Sequence, residues 1–224
     1  MIDQLIIGEK ASFDDFGASL AKRNIKPPKK KSIKETVPHS NVTYDFSAIN
    51  GEVYWEEREL EYIFEMIAST PERLEEMKIA FSNWIMNVIE QNIFDPFLPD
   101  YHFVGTYEDM NFSDDDGMDK TTVTVVFLAY PYKIANLPKK YSKSIAAGAT
   151  VTLNIENESS HRITPTIETD QSITIQLNGA NYALSAGKYT DETLKISAGR
   201  NALTIQNTGA AACTVSVRYH EEVF

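Results

Sequence analysis

Apolar positions change their spacing along the chain, and each spacing predicts an element. From Val53 to Phe64 they alternate imperfectly: Val53 and Trp55, then Leu60, Tyr62 and Phe64, read as one buried face of a strand that follows a turn at Gly51. From Thr70 the period becomes helical. Leu74, Met77, Phe81, Trp84 or Ile85, and Val88 recur three and four apart, with Glu75, Glu76, Asn83, Asn87, Glu90 and Gln91 largely on the other side. Thr70 is the expected N-cap and Pro71 the first helical residue. Glu72, Glu75 and Glu76 place negative charge at the positive end of the helix. The spacing predicts a helix over about Pro71 to Gln91 whose Met and aromatic stripe is core, laid over one face of a sheet. Alternation returns in Tyr101–Met110 and Thr121–Tyr130, where Val123, Val125 and Phe127 share a face. Upstream, Gln4–Ile7 and Ala11–Phe16 read as a hairpin around Gly8-Glu9-Lys10.

Past Ser142 the chain turns rich in Thr, Ile, Asn, Ala and Gly, and helical spacing almost disappears. Short alternating runs follow at Ala149–Ile155, His161–Glu168, Ser172–Leu177, Ala180–Leu184, Thr193–Ile196, Asn201–Gln206 and Thr214–Tyr219. Turn signals separate them, and Asn178-Gly179 between two apolar runs is the signature of a two-residue hairpin. Many short strands at even spacing predict a β-sandwich or jelly roll. With Ala135–Lys140 read as a linker, the fold class is mainly β in two domains. Residues 1–136 form an α+β domain, a β-sheet or sandwich with one long helix. Residues 137–224 form a β-sandwich.

Charge and chemistry narrow the function classes. The formal net charge is −11, which disfavours a nucleic-acid binder, since that needs a basic face. The single cysteine, Cys213, cannot close an internal disulfide and sits in an alternating run as a small strand residue. The N-terminal stretch lacks a basic region and a long enough apolar run for a signal peptide, so synthesis in a reducing cytoplasm is expected. His39, His102, His161 and His220 are scattered, without zinc-ligand spacing. The acidic stretch Ser113–Asp119 contains Gly117 but fails the calcium-loop register. With Gly117 at the sixth position, Phe112 and Val123 fall on ligand positions, so a solvated hairpin tip is expected. No nucleophile elbow, phosphate loop or Cys–His pairing is present. The expectation is no enzyme, no metal and no cofactor.

Two basic features are candidates for contact with a partner. Arg58 stands among Glu56, Glu57, Glu59 and Glu61. It is either salt-bridged on a sheet surface or held at a subunit boundary, where its planar fork pairs with a neighbour's carboxylate. Lys22–Lys34, with Pro27-Pro28 imposing an extended path, is a solvated loop, a nucleic-acid or membrane contact, or a positive loop that meets an acidic neighbour in an assembly. No interleaved aromatics favour stacking on bases.

The order Tyr44-Asp45-Phe46-Ser47, Gly51, Tyr54, Arg58-Glu59-Leu60 and then an aromatic strand, preceded by Ser12-Phe13-Asp14-Asp15-Phe16-Gly17, resembles the N-terminal part of the distal tail protein (Dit) family of long-tailed, non-contractile phages and prophages. The resemblance spans most of 1–136 and more loosely the remainder. It departs where many relatives carry a Pro-Gly-x-Asp-Gly turn and this chain has Pro38-His39-Ser40-Asn41. It implies a structural virion protein whose N-terminal domains form a hexameric ring joining the tail tube to the tail-tip or baseplate proteins. It also implies a galectin-like C-terminal domain. Self-contact is then expected at the N-terminal hairpin, Tyr54, Arg58 and Lys29, Lys30 and Lys31. The alternative is a carbohydrate-binding module for cell-surface attachment. Tyr182 and Tyr189 are its candidate sugar platforms, although His161-Arg162 lacks the galectin His-x-Asn-Pro-Arg pattern.

Overall fold

The computed structural model describes residues 3–36, 39, 41–47, 53–115 and 119–224. The expected turns at Pro38–Asn41 and Gly51, and the centre of the acidic tip at 116–118, lie wholly or partly outside the described residues. The chain divides into two compact units, Met1–Lys133 with Phe224, and Ile134–Val223. It is mainly β, with one helix among the described residues.

In the first unit the strands are β1 (Ile6–Ile7), β2 (Lys10–Ala11), β3 (Ala18–Ile25), β4 (Lys34–Thr36), β5 (Thr43–Asp45), β6 (Arg58–Ile67), β7 (Gln91–Phe94), β8 (Tyr101–Asp114) and β9 (Lys120–Ala129), with α1 (Pro71–Ile85) between β6 and β7. An antiparallel sheet runs in the order β2-β1-β7-β8-β9-β6-β3. Strand β6 is paired along both edges, to β3 and to β9. Its burial alternates strictly, with Arg58, Leu60, Tyr62, Phe64 and Met66 inside. Val53 and Trp55 do not belong to that face. They precede the strand in odd register, and Val53 is exposed. The predicted face of β9 is as expected, with Val123, Val125 and Phe127 fully buried.

Helix α1 starts where the sequence places it. The Thr70 side chain accepts the Arg73 N–H at 3.3 Å, and Pro71 opens the first turn. Leu74, Phe81 and Ile85 face the core, where the Phe81 ring lies 5.4 Å from Phe64 and 6.0 Å from Phe16. Met77 and Trp84 are only partly buried. Lys78 takes the helical position four after Leu74. Its stem is covered, and its ammonium pairs with Glu75 at 2.7 Å and Asp114 at 2.6 Å.

The helix ends at Ile85, short of Gln91. The Asn87 and Val88 N–H groups bond back three residues, to Trp84 and Ile85, which tightens and closes the last turn. Glu90, at φ 47°, then turns the chain so that Gln91 can pair with Gly105 in the sheet. The N-terminal hairpin is also shorter than expected. Past Ala11 the chain coils into turns, because the Asp15 carboxylate accepts the Ala11 N–H at 2.7 Å and Gly17 N–H bonds Phe13 C=O.

The strand β10 (Lys133–Ala135) carries the chain into the second unit, which comprises β11 (Lys139–Ile145), β12 (Thr150–Asn157), β13 (Thr166–Thr169), β14 (Ile173–Leu177), β15 (Ala180–Leu184), β16 (Gly187–Thr190), β17 (Gly199–Asn207), β18 (Cys213–Tyr219) and β19 (Glu222–Val223). Two four-stranded sheets have the orders β11-β18-β13-β16 and β12-β17-β14-β15. Numbered within the unit, these orders are 1-8-3-6 and 2-7-4-5, the double Greek key of a jelly roll. Isoleucine, leucine and valine side chains from both sheets fill one core.

The Asn178-Gly179 hairpin is present, with φ of 52° and 83° at its two turn residues. Lys139 and Lys140, expected in a linker, instead pair with Tyr219 and Arg218. Thr193–Ile196 forms no strand and contributes only a bridge from Ile196 to Ile163.

Buried asparagines fasten the turns of this unit. Asn207 donates to the carbonyls of Ile145, Ala146 and Ala211 and accepts the Gly209 N–H. Asn157 donates to the carbonyls of His161 and Ser197. Each side chain satisfies backbone groups that the sheets leave unpaired.

Two substitutions test these cores separately. Phe81→Ala is expected to destabilise the first unit by about 3–5 kcal/mol, measured by chemical denaturation with Trp84 fluorescence as the reporter. Asn207→Ala, which strands several buried backbone groups, is expected to cost the second unit about 2–4 kcal/mol, read by hydrogen exchange of β17 and β18 amides.

Candidate functional site

Two surface features of the first unit stand apart from its core. The first is an arm built from residues 29–36, 42–46 and 54–56. Lys31 N–H bonds Tyr54 C=O and Glu56 N–H bonds Lys29 C=O, each at 2.8 Å, and Lys30 is bridged to Trp55. The ladder continues into β4 and β5, where Lys34 pairs with Asp45 and Thr36 with Thr43. Four of the sequence candidates, Lys29, Lys30, Lys31 and Tyr54, are therefore brought together, and all four are exposed. Ile33, Val42, Tyr44 and Phe46 are exposed on the same arm, with the Tyr44 and Phe46 rings 6.3 Å apart. An antiparallel ribbon that displays its apolar side chains has no core of its own.

The second feature is a cavity of about 380 Å³ in which Arg58, Arg23 and Lys133 meet Ile25, Leu98 and Phe103. The fifth candidate, Arg58, lies here and not on the arm. It is 5% exposed. Of the two readings offered for Arg58, a surface salt bridge is not found among the described residues, because alternation sends Glu59 and Glu61 to the opposite face and Glu59 pairs with Lys26. Arg58 Nε and Nη1 are buried without a hydrogen-bond partner, and the guanidinium lies 5.6 Å from the centre of the Phe103 ring. Cross-strand from Arg58 stand Ala129 and then Gly105, so its nearest partners in the row bring little or no side chain.

Burial lowers the Arg58 pKa below its ordinary value. Burial, then the charges of Arg58 and Arg23, lowers Lys133 likewise. The carboxylate at this site is that of Asp95, and it is already engaged. It binds Arg23 Nη1 at 2.7 Å, accepts the Tyr62 hydroxyl at 3.3 Å and accepts the Phe97 N–H at 2.9 Å.

Of the sugar candidates, Tyr182 lies on β15 and Tyr189 on β16, edge strands of different sheets, and the Tyr182 hydroxyl donates to Thr193 C=O at 2.9 Å. Among the described residues, no group of three or more His, Cys, Asp or Glu side chains is placed to hold a metal ion, and no helix is long and apolar enough to cross a membrane.

Sequence reasoning missed Arg23, Asp95 and Lys133 as parts of one site. Arg23 falls in the stretch read as a loop but is in β3, opposite Tyr62. A bulge between Leu20 and Lys22 reverses the alternation there, so that Ala18 and Leu20 before it and Arg23 after it share the inner face. For Arg58 a signal was available: it has the same parity as Leu60, Tyr62 and Phe64.

No protein-family model matches the chain, and no curated protein sequence matches it. Among solved structures, the SPP1 Dit protein (gp 19.1), described as a paradigm of the hub adsorption apparatus in phages infecting Gram-positive hosts, superposes with a TM-score of 0.70. The alignment covers 100% of both chains at 12% sequence identity. A de novo designed double-stranded β-helix covers 37% of this chain at 13% identity, and its TM-score of 0.29 carries no weight. Over its whole length, therefore, this chain has the fold of a phage Dit protein.

Proposed function

We propose that the chain is a structural protein of a phage tail tip, that its copies close into a hexameric ring, and that the ring joins the tail tube to the tail-tip or baseplate proteins that meet the host. The full-length Dit fold carries this reading. The exposed arm supports it. A cyclic ring needs a heterologous contact, one patch seated on a different patch of the next copy. A ribbon with Ile33, Val42, Tyr44 and Phe46 outward and Lys29–Lys31 beside them supplies an apolar patch with a basic margin, suited to a neighbour from a chain of net charge −11. The work is done by shape and contact, and no catalytic step is assigned.

Solution mass together with negative-stain images of the full chain tests the reading. Rings with a central hole and the mass of a hexamer are expected. The double variant Tyr44→Ser, Phe46→Ser is expected to remain monomeric with unchanged melting temperature, since neither side chain belongs to a core. A wild type that stays monomeric at high micromolar concentration, or a double variant that still closes rings, overturns this assignment.

A further inference from the structure

Arg58 poses a physical problem that the fold alone does not resolve. A buried guanidinium without a carboxylate is among the least favourable features a core can hold, because it has lost water and gained no counter-charge. Here it sits beside a second arginine and a lysine. Asp95, the one carboxylate bonded at this site, is occupied by Arg23, Tyr62 and the Phe97 N–H. Three cations, Arg23, Arg58 and Lys133, therefore line the cavity, and Asp95, the carboxylate bonded to one of them, is not among its lining residues, in a chain whose overall balance is strongly acidic.

We infer that this cavity is a carboxylate-receiving site, filled in the assembled protein by an Asp or Glu side chain of a second copy of this chain. Its chemistry stands on the geometry alone, whereas the choice of a second copy as occupant rests on the ring reading above. The cavity, at about 380 Å³, has room for a whole acidic side chain. The Arg23 side chain at its margin is 31% exposed, so the site is open to solvent on that side. Ile25, Leu98 and Phe103 give walls that suit the methylene stem of such a side chain. The Arg58 guanidinium lines this space with its Nε and Nη1 unbonded, and it supplies the positive charge that a carboxylate head would neutralise. Each copy carries 32 Asp and Glu against 21 Lys and Arg, so a neighbour brings carboxylates in excess.

The test uses the full chain and the variant Arg58→Met, which keeps apolar bulk and removes the charge. Sodium acetate, exchanged for sodium chloride at constant ionic strength, is the probe for the site. At a protein concentration low enough to keep the chain monomeric, so that no neighbour fills the site, the wild-type melting temperature is expected to rise saturably by about 3 °C, and that of Arg58→Met not to respond. In the absence of acetate, the Arg58→Met monomer is expected to melt at or above the wild-type temperature, because the variant sheds an uncompensated charge. Its self-association is expected to weaken about thirty-fold or more.

No acetate response, with a lower melting temperature for Arg58→Met, makes Arg58 a structural cation held on Phe103 and overturns the site. An acetate response with undiminished self-association overturns the second copy as occupant. A wild type that never assembles defeats the ring reading, and the acetate titration still decides the cavity by itself.

Discussion

The strict in–out alternation of β6, held by hydrogen-bonded neighbours on both edges, is the constraint on which the first unit depends. A central strand cannot slip by one residue without turning Leu60, Tyr62, Phe64 and Met66 out to solvent and Glu59, Glu61 and Glu65 into the core. That register positions Phe64 against Phe81 of α1 and Tyr62 against Asp95. It also forces Arg58, the first residue of the strand, onto the inner face. The same interaction that builds the hydrophobic core therefore carries a charge to its margin.

The consequence is a local conflict between stability and use. Among the other described residues of this unit, buried polar side chains find partners: Lys78 has two carboxylates, and Ser12 accepts the Leu5 N–H. Arg58 is the exception, with two buried nitrogens unbonded and only the face of Phe103 near its charge. Unresolved costs of this kind concentrate where a protein makes contact with something else. The arm shows the complementary pattern: its backbone is paired, but its apolar side chains lack a core. Association of the kind proposed above would bring a counter-charge to Arg58 and cover the exposed apolar row of the arm.

The second unit solves a different problem. A jelly roll joins strands that are distant in sequence, so its turns must be fastened individually. Asn157, Asn201 and Asn207 do this by bonding backbone groups at the sheet ends. Tyr219, buried with its ring stacked at 6.2 Å on Tyr141, donates its hydroxyl to Glu156 C=O, while Lys139 bridges Glu158 and Glu221. The two tyrosines considered for sugar lie on edge strands of separate sheets.

What the sequence by itself determined was local. Thr70-Pro71 set the start of α1, Asn178-Gly179 set a hairpin, and the alternation of Val123, Val125 and Phe127 set the face of β9. In each case a few adjacent residues restrict φ, ψ or solvent contact without outside help. The order of motifs around Tyr44–Ser47 and Arg58–Leu60 also resembles the Dit family, whose fold the chain has.

Tertiary structure decided the rest. The helix stopped at Ile85 because the sheet claimed Gln91. Lys139 became strand because Tyr219, far along the chain, was there to pair with it. The bulge after Leu20, which places Arg23 on the cavity face, is a matter of register against β6 and leaves no mark in the residues themselves. Alternation says which side chains share a face. Whether a cation on that face finds a carboxylate, an aromatic ring or open space depends on strands remote in sequence, and only the assembled sheet supplies them.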